Sequence, residues 1–241
     1  MAGTDVLHIL LALCCLASAH DIYVPEEKVI HHLLDDLYPY SRHARPVTNP
    51  SETVVVKQGF SLISVDVKKE DPKQSILLES MGWLFMEWTD PRLKWDPREF
   101  DGVEMINLPA TEIWVPDILL YNSENELGAS PSEFLAVISY SGQVIWVPML
   151  KSTVTCPADG RNYQCHWKFG SWTNTMARVS PEMAEDSVNL LMSSFTYNSQ
   201  WEVHNVSAIQ RFPEYPCCPG IYPYITYGVE LGKREGRGED E

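Results

Sequence analysis

Short runs of alternating apolar and polar residues, separated by turn dipeptides, constrain the fold of this 241-residue chain more than any other feature. In Ile63–Val67 every second side chain is apolar, as in a strand with one buried face. Trp83–Trp88 and Val144–Val147 divide their side chains between two faces in the same way. These runs are punctuated by Asp90-Pro91, Asp101-Gly102 and Ser141-Gly142. Many short strands at this spacing predict an all-β sandwich, and no long linker divides the chain.

One stretch near the N-terminus has helical periodicity instead. Within residues 26–38 the apolar side chains form one helical stripe, which consists of Val29, Ile30, Leu33, Leu34 and Leu37. Pro39 follows the stripe and cannot continue a helix. We therefore expect one short N-terminal helix ahead of the strands.

Residues 1–19 have the pattern of a secretory signal peptide. The run Val6–Leu16 is apolar, and Ala17-Ser18-Ala19 provides small residues for cleavage before His20. The first residues are atypical, because they include Asp5 and no Lys or Arg, so a buried N-terminal helix is the alternative. No later run approaches the roughly 20 apolar residues that a membrane span needs. We expect a secreted, extracellular, soluble domain over residues 20–232 and a polar acidic tail over 233–241.

The cysteines support an oxidising compartment. Cys14 and Cys15 fall in the predicted signal peptide, which leaves an even number in the mature chain: Cys156, Cys165, Cys217 and Cys218. Four cysteines allow three pairings, and we favour Cys156–Cys165 with Cys217–Cys218. A bond between adjacent cysteines closes a small ring and adds little loop-closure stability, so it makes better sense as a stiff tip on a hairpin. The alternative is two free thiols that happen to adjoin.

Charge and motifs narrow the function. The formal net charge of −15 argues against a nucleic-acid partner and favours a cationic ligand, although acidity also serves solubility alone. The chain lacks Gly-x-Ser-x-Gly, His-Glu-x-x-His, a Walker loop and Cys-x-x-Cys. We therefore expect a binding protein that needs no cofactor and holds no metal. An extracellular enzyme with an aromatic sugar- or choline-binding cleft is the alternative from another class.

Aromatic residues provide the positive signal. The chain has eight Trp and eleven Tyr, whose ring faces attract cations and suit a quaternary ammonium group. Most aromatic residues in a sandwich belong to the core, and we expect this of Trp88, Trp95, Trp114 and Trp146.

Four segments, taken in order, resemble the extracellular domains of Cys-loop receptors. They are Trp83–Asp90 with Trp95-Asp96, then Trp114–Ser123 with its W-x-P-D-x-x-x-Y-N pattern, then Lys168–Thr173, and last Tyr215–Tyr222. The last segment is similar to the tip loop of nicotinic acetylcholine receptor α-type subunits and of soluble acetylcholine-binding proteins. The resemblance covers roughly residues 26–231. It implies an immunoglobulin-like two-sheet β-sandwich of the Cys-loop receptor ligand-binding type.

The resemblance also implies where ligands bind. Family members are pentamers with ligand sites between neighbouring subunits, so we expect a homopentamer that binds acetylcholine and nicotine-like amines. The principal side would consist of Tyr121, Trp172, Tyr215 and Tyr222, with Cys217 and Cys218 as a ring on the tip loop. The complementary side of the next subunit would contribute Trp83, Ile145 and Val147. The cation would lie against the ring face of Trp172.

Two departures from the family pattern favour a protein that captures ligand and gates no channel. Only eight residues separate Cys156 from Cys165, fewer than in channel subunits, and their Phe-Pro-Phe element is missing. Tyr224 stands where the family usually has an acidic residue that can pair with Lys168. The alternative is the extracellular part of a nicotinic-type channel subunit. Asn205-Val206-Ser207 is a glycosylation sequon, although a motif this short also occurs by chance.

Overall fold

The computed structural model describes residues 24–36, 40–71, 73–124 and 134–234. The predicted signal peptide, the last two residues of the predicted helix (37 and 38), Pro39 and residues 235–241 of the predicted tail lie outside the described residues.

The N-terminal helix is present. Helix α1 (Pro25–His31) continues into one turn of π-helix (His32–Asp36). Val29 and Leu33 are buried, and Ile30 and Leu34 pack against the core at its edge. The described residues of the apolar stripe predicted from the sequence therefore face the sandwich; Leu37, its last member, lies outside them.

Two antiparallel sheets, with one parallel strand pair, form the sandwich. The first sheet contains β1 (Val54–Asp71), β2 (Ser75–Thr89), β3 (Met105–Pro109), β5 (Leu135–Ser139), β6 (Gln143–Trp146), β7 (Met149–Asp159) and β9 (Val179–Met183). The second contains β4 (Ile118–Leu120), β8 (Asn162–Ser171), β10 (Trp201–Arg211) and β13 (Tyr224–Lys233). A separate hairpin is formed by β11 (Glu214–Tyr215) and β12 (Cys218–Ile221). A 3-10 turn (Pro97–Glu99) and helix α2 (Ser187–Met192) lie in connections.

The alternation predicted for the strands is confirmed, with one irregularity. On β2, Leu84, Met86 and Trp88 are buried, whereas Trp83 and Phe85 face outward. On β6, Val144 and Trp146 are buried. In β1, only Val65 of the Ile63–Val67 run is buried, because register shifts between β1 and β2 interrupt the alternation there.

The two sheets meet in an aromatic core. The ring of Phe60 on β1 lies 5.6 Å from Trp167, 5.2 Å from Phe169 and 5.8 Å from Tyr227, measured between ring centroids. The last three residues lie on β8 and β13 of the opposite sheet. The Tyr227 hydroxyl donates to the carbonyl oxygen of Gln58 across the sandwich at 2.9 Å. Burial raises the pKa of Tyr227, so this hydroxyl stays protonated.

The short cysteine loop is part of a β-hairpin. Strand β7 ends at Asp159 and β8 begins at Asn162, so two residues, Gly160 and Arg161, make the turn. Gly160 adopts a φ of 64°, a conformation that favours glycine. A disulfide joins Cys156 to Cys165 within the hairpin, and both residues are fully buried. This segment is therefore regular paired strand, with no extended loop between the cysteines.

A buried ion pair connects three distant segments at the end of β2. Arg92 Nε donates to Asp90 Oδ1 at 2.9 Å, and Nη2 donates to Oδ2 at 2.7 Å. The Tyr40 hydroxyl donates to Asp90 Oδ2 at 2.6 Å and accepts from the Trp114 amide at 3.0 Å. Burial, together with the Asp90 charge, raises the pKa of Tyr40. The Asp90 side chain is fully buried, so its charge depends on these partners and on the Arg92 backbone amide, which donates to Oδ1 at 2.9 Å.

We predict that Asp90→Asn destabilises the fold by about 3 kcal/mol, because it leaves the Arg92 charge without its buried partner. Denaturant unfolding followed by tryptophan fluorescence measures this. The control is Asp101→Asn, since Asp101 forms an exposed ion pair with Lys28 and exposed pairs add little. Equal unfolding midpoints for the two variants would contradict the assigned role of Asp90.

Candidate functional site

The eight tryptophans divide sharply by exposure. Six are buried, and they are Trp88, Trp95, Trp114, Trp146, Trp167 and Trp201. The remaining two, Trp83 and Trp172, expose 39% and 61% of their surface. The four indoles expected in the core are there, whereas the two expected in a ligand site lie on the surface. Because indole burial is strongly favourable, two exposed rings are a notable feature of this surface.

Trp172 and Tyr121 form one aromatic cluster. Tyr121 follows β4, Trp172 follows β8, and these strands pair in antiparallel register. Their ring centroids lie 5.8 Å apart in an edge-to-face arrangement. The Tyr121 hydroxyl donates to the carbonyl oxygen of Ser171 at 2.5 Å. Burial, with smaller contributions from Tyr215 and Asp117, raises the pKa of Tyr121, so it is a neutral phenol at physiological pH.

A single carboxylate organises the turn that carries Trp172. Asp117 Oδ2 accepts hydrogen bonds from the Thr173 amide at 2.7 Å and from its hydroxyl at 2.6 Å. Oδ1 accepts hydrogen bonds from the Ser171 hydroxyl at 2.5 Å and from the side-chain amide of Asn174 at 3.1 Å. The Trp172 amide donates to the Asp117 carbonyl oxygen at 3.1 Å. Asp117 thus holds the residues on both sides of the exposed indole.

The tip hairpin carries the second pair of rings. Tyr215 on β11 and Tyr222 just beyond β12 lie 6.0 Å apart between centroids. The disulfide predicted between Cys217 and Cys218 is confirmed, with Cα atoms 3.8 Å apart. The Ile221 carbonyl oxygen accepts from the Met176 amide at 2.9 Å, which ties the hairpin to the segment after Trp172. All predicted principal-side residues therefore lie on the second sheet, its connections or this hairpin.

The predicted complementary-side residues lie on the other sheet. Trp83 lies on β2, Ile145 on β6 and Val147 immediately after β6, all on outward-facing positions. Among the described residues, no ring contact joins Trp83 to a principal-side aromatic residue. One chain therefore brings together Tyr121 with Trp172 and Tyr215 with Tyr222, but it does not bring Trp83 to them.

Two outward apolar residues beside this group were missed by the sequence analysis. Met149 lies directly opposite Trp83 in the β2–β7 register and is 38% exposed. Val137 lies opposite Ile145 in the β5–β6 register and is also exposed. The sequence held only a weak signal for these two residues. Alternation within a strand predicts which face a side chain lies on, but it does not predict which residue lies opposite on the next strand.

Lys168 has an aromatic partner in place of an acidic one. Its ammonium nitrogen lies 3.8 Å from the ring centroid of Tyr224 and 5.4 Å from that of Tyr121. No carboxylate pairs with this ammonium in the part of the chain that the structure describes. Burial lowers the pKa of Lys168.

Two further searches concern the described residues only. No group of three or more His, Cys, Asp or Glu side chains is arranged to hold a metal ion there. No helix in the described ranges is long and apolar enough to cross a membrane.

The chain is similar to known proteins over most of its length. Residues 26–235 match the model of the neurotransmitter-gated ion-channel ligand binding domain. The neuronal acetylcholine receptor subunit alpha-2 of Rattus norvegicus is 35% identical over 84% of this chain, but only 39% of that protein is covered. The acetylcholine receptor subunit alpha-like 2 of Drosophila melanogaster is 32% identical over 95% of this chain and 40% of its own length. The chain thus spans well under half of these relatives.

A solved structure has the same fold. The Capitella teleta AChBP in complex with lobeline superposes with a TM-score of 0.77 at 26% sequence identity. The match covers 87% of this chain and 98% of that one.

We predict that Asp117→Asn lowers stability by about 1–3 kcal/mol, because an amide NH2 group would face donors of the Trp172 turn. Amide exchange at Thr173 should accelerate more than exchange in the core strands. Glu112→Gln removes the same charge from an exposed side chain and is the control. If both variants unfold and exchange alike, Asp117 does not hold the turn.

Proposed function

Because the chain belongs to the neurotransmitter-gated ion-channel ligand-binding domain family, we propose that it binds acetylcholine and related cations in aromatic cages between neighbouring copies of itself. The family consists of ligand-binding domains, so the chain is a binding protein and not an enzyme. The observation that carries the proposal is the exposure of two indoles, Trp172 and Trp83, when the other six are buried. Each surface indole is available to a ligand or to a second copy.

The chemistry of the exposed rings suits a quaternary ammonium ligand. Such a cation has no N–H to donate, so it is recognised by ring faces and not by hydrogen-bond acceptors. Trp172 and Tyr121 provide neighbouring rings, and the Tyr215–Tyr222 pair lies on the adjoining hairpin. The net charge of −15 would draw cations toward the protein over a longer range.

Assembly follows from the separation of the two aromatic groups. The principal group belongs to the second sheet and the tip hairpin, and Trp83 belongs to the first sheet. A cage that uses both groups therefore needs the principal surface of one copy against the complementary surface of the next. Such head-to-tail contacts are heterologous, and they form a closed ring when the rotation between copies divides a full turn. We propose a homopentamer, in keeping with the family.

We further propose that the protein is secreted, with a signal peptide at 1–19, the binding domain at 20–232 and an acidic tail at 233–241. The tight β7–β8 hairpin between Cys156 and Cys165 supports a role without channel coupling. Asn205 is exposed on β10, which suits glycosylation of its sequon. The alternative is a receptor subunit, since the similar proteins include acetylcholine receptor subunits at 35% and 32% identity. Sequencing the transcript beyond the codon for Glu241 separates the two, since a receptor subunit would continue into apolar membrane segments.

We predict that Trp172→Ala weakens acetylcholine binding roughly 30-fold, the loss expected for one desolvated cation–π contact. Isothermal titration calorimetry on the purified protein measures the dissociation constant. Tyr197→Ala is the control, because Tyr197 is 73% exposed and stacks on Arg234 away from the cluster. Wild-type affinity in the Trp172 variant would refute the cage.

Mixing two defective copies tests the site between subunits. Trp172→Ala and Trp83→Ala each damage one side, so homomers of either variant should bind poorly. Co-expression in equal amounts should restore about a quarter of the sites, because that share of head-to-tail interfaces pairs two intact sides. Light scattering on the same sample gives the subunit number. If assemblies shown to contain both variants recovered no binding, the whole site would lie within one chain.

A further inference from the structure

A lysine ammonium group of the chain itself, that of Lys168, lies beside the proposed ligand cage. The Lys168 ammonium sits over the ring of Tyr224 at 3.8 Å and faces Tyr121 at 5.4 Å. Tyr121 in turn contacts the exposed Trp172. Among the described residues, Lys168 forms no ion pair, and its ammonium group contacts these two phenol rings instead. We call the Lys168–Tyr224 contact the clasp.

Strand register explains why the clasp forms. Tyr224 lies opposite Gly170 on β8, and Thr226 lies opposite Lys168. Lys168 and Tyr224 are therefore diagonal neighbours on one face, within reach of each other's long side chains. Gly170 has no side chain between them, and a Cβ there would lie 2.6 Å from the Tyr121 hydroxyl. The missing side chain leaves the space in which Lys168, Tyr121 and Tyr224 meet.

The clasp lies at the root of the tip hairpin. Tyr222 and Pro223 connect β12 of the hairpin to β13, and Tyr224 is the first residue of β13. Lys168 lies on the strand that ends at Ser171, one residue before Trp172. The clasp therefore joins the base of the hairpin to the strand that carries the indole. Beyond the clasp, the Met176 amide donates to the Ile221 carbonyl oxygen and ties the hairpin to the segment after Trp172. The Tyr222 amide donates to the Pro213 carbonyl oxygen at 3.0 Å and joins the two sides of the hairpin to each other.

We propose that Lys168 and Tyr224 are positioning residues that hold the root of the tip hairpin and thereby set how fast a bound cation leaves. The part of this proposal that concerns ligand release rests on the proposed function. The Lys168 ammonium is attracted to the ring face of Tyr224, which takes the place of a carboxylate partner. A hairpin held at its root opens less often, and a bound cation leaves only when it opens.

Four variants test the clasp in matched pairs. Tyr224→Leu removes the ring and Lys168→Met removes the charge, while Tyr224→Phe keeps the ring and Lys168→Arg keeps a cation. Stopped-flow dissociation of acetylcholine should be about threefold to tenfold faster in each of the first two variants. The double variant should be no faster than the faster single one, because both changes break the same contact. Wild-type rates in Tyr224→Leu, or additive effects in the double variant, would overturn the proposal.

A second readout needs no ligand. Hydrogen exchange of the amides in residues 214–222 should be faster in ligand-free Tyr224→Leu and Lys168→Met, and unchanged in Tyr224→Phe. Unchanged exchange in the first two variants, or an equal rise in all strands, would refute the clasp. If wild-type protein bound no choline-type cation while hairpin exchange responded as expected, the proposed function would fail and the positioning role would stand.

Discussion

The two-residue period of β-strands is the constraint on which the rest of this molecule depends. It assigns each side chain to the core or to the surface, and a shift of one residue would exchange the two sets. On β2 it buries Leu84, Met86 and Trp88 and leaves Trp83 and Phe85 outside. The same rule buries Trp167 and Phe169 on β8 and Tyr227 on β13, and the ring of Phe60 contacts all three. On β2 the buried core and the outward surface are thus two faces of one strand.

Two carboxylates stabilise loop segments that the hydrogen bonds between strands do not hold. Asp90 ties Tyr40 and Arg92 to the end of β2, and Asp117 holds the turn around Trp172. Asp117 accepts hydrogen bonds from a segment more than fifty residues away, whereas Asp90 accepts from distant Tyr40 and from nearby Arg92. These bonds offset the cost of removing each carboxylate from water. An exposed indole on a turn needs such support, because few apolar contacts hold it in place. The charge that makes the chain acidic is therefore partly structural.

The separation of the aromatic groups on two sheets makes assembly part of the proposed chemistry. Tyr121 contacts Trp172 and Tyr215 contacts Tyr222, whereas Trp83 lies on the other sheet with Met149 and Ser61 opposite it. Tyr121 is a neutral phenol and Lys168 has an aromatic partner, so neither adds a negative charge beside the exposed rings. Such a surface attracts cations through ring quadrupoles, and the whole-protein field adds to this at long range.

The sequence alone determined the local features: the strand alternation, the short helix, the adjacent cysteines and four motifs in family order. These features depend on residues close together in the chain, so their patterns are readable without coordinates. Only the tertiary structure decided which strands are neighbours and in what register. It placed Met149 opposite Trp83, Tyr224 diagonal to Lys168, and Asp117 beneath a turn more than fifty residues away. Cross-strand partners depend on packing of the whole sandwich, and the period of one strand carries no information about the register of the next.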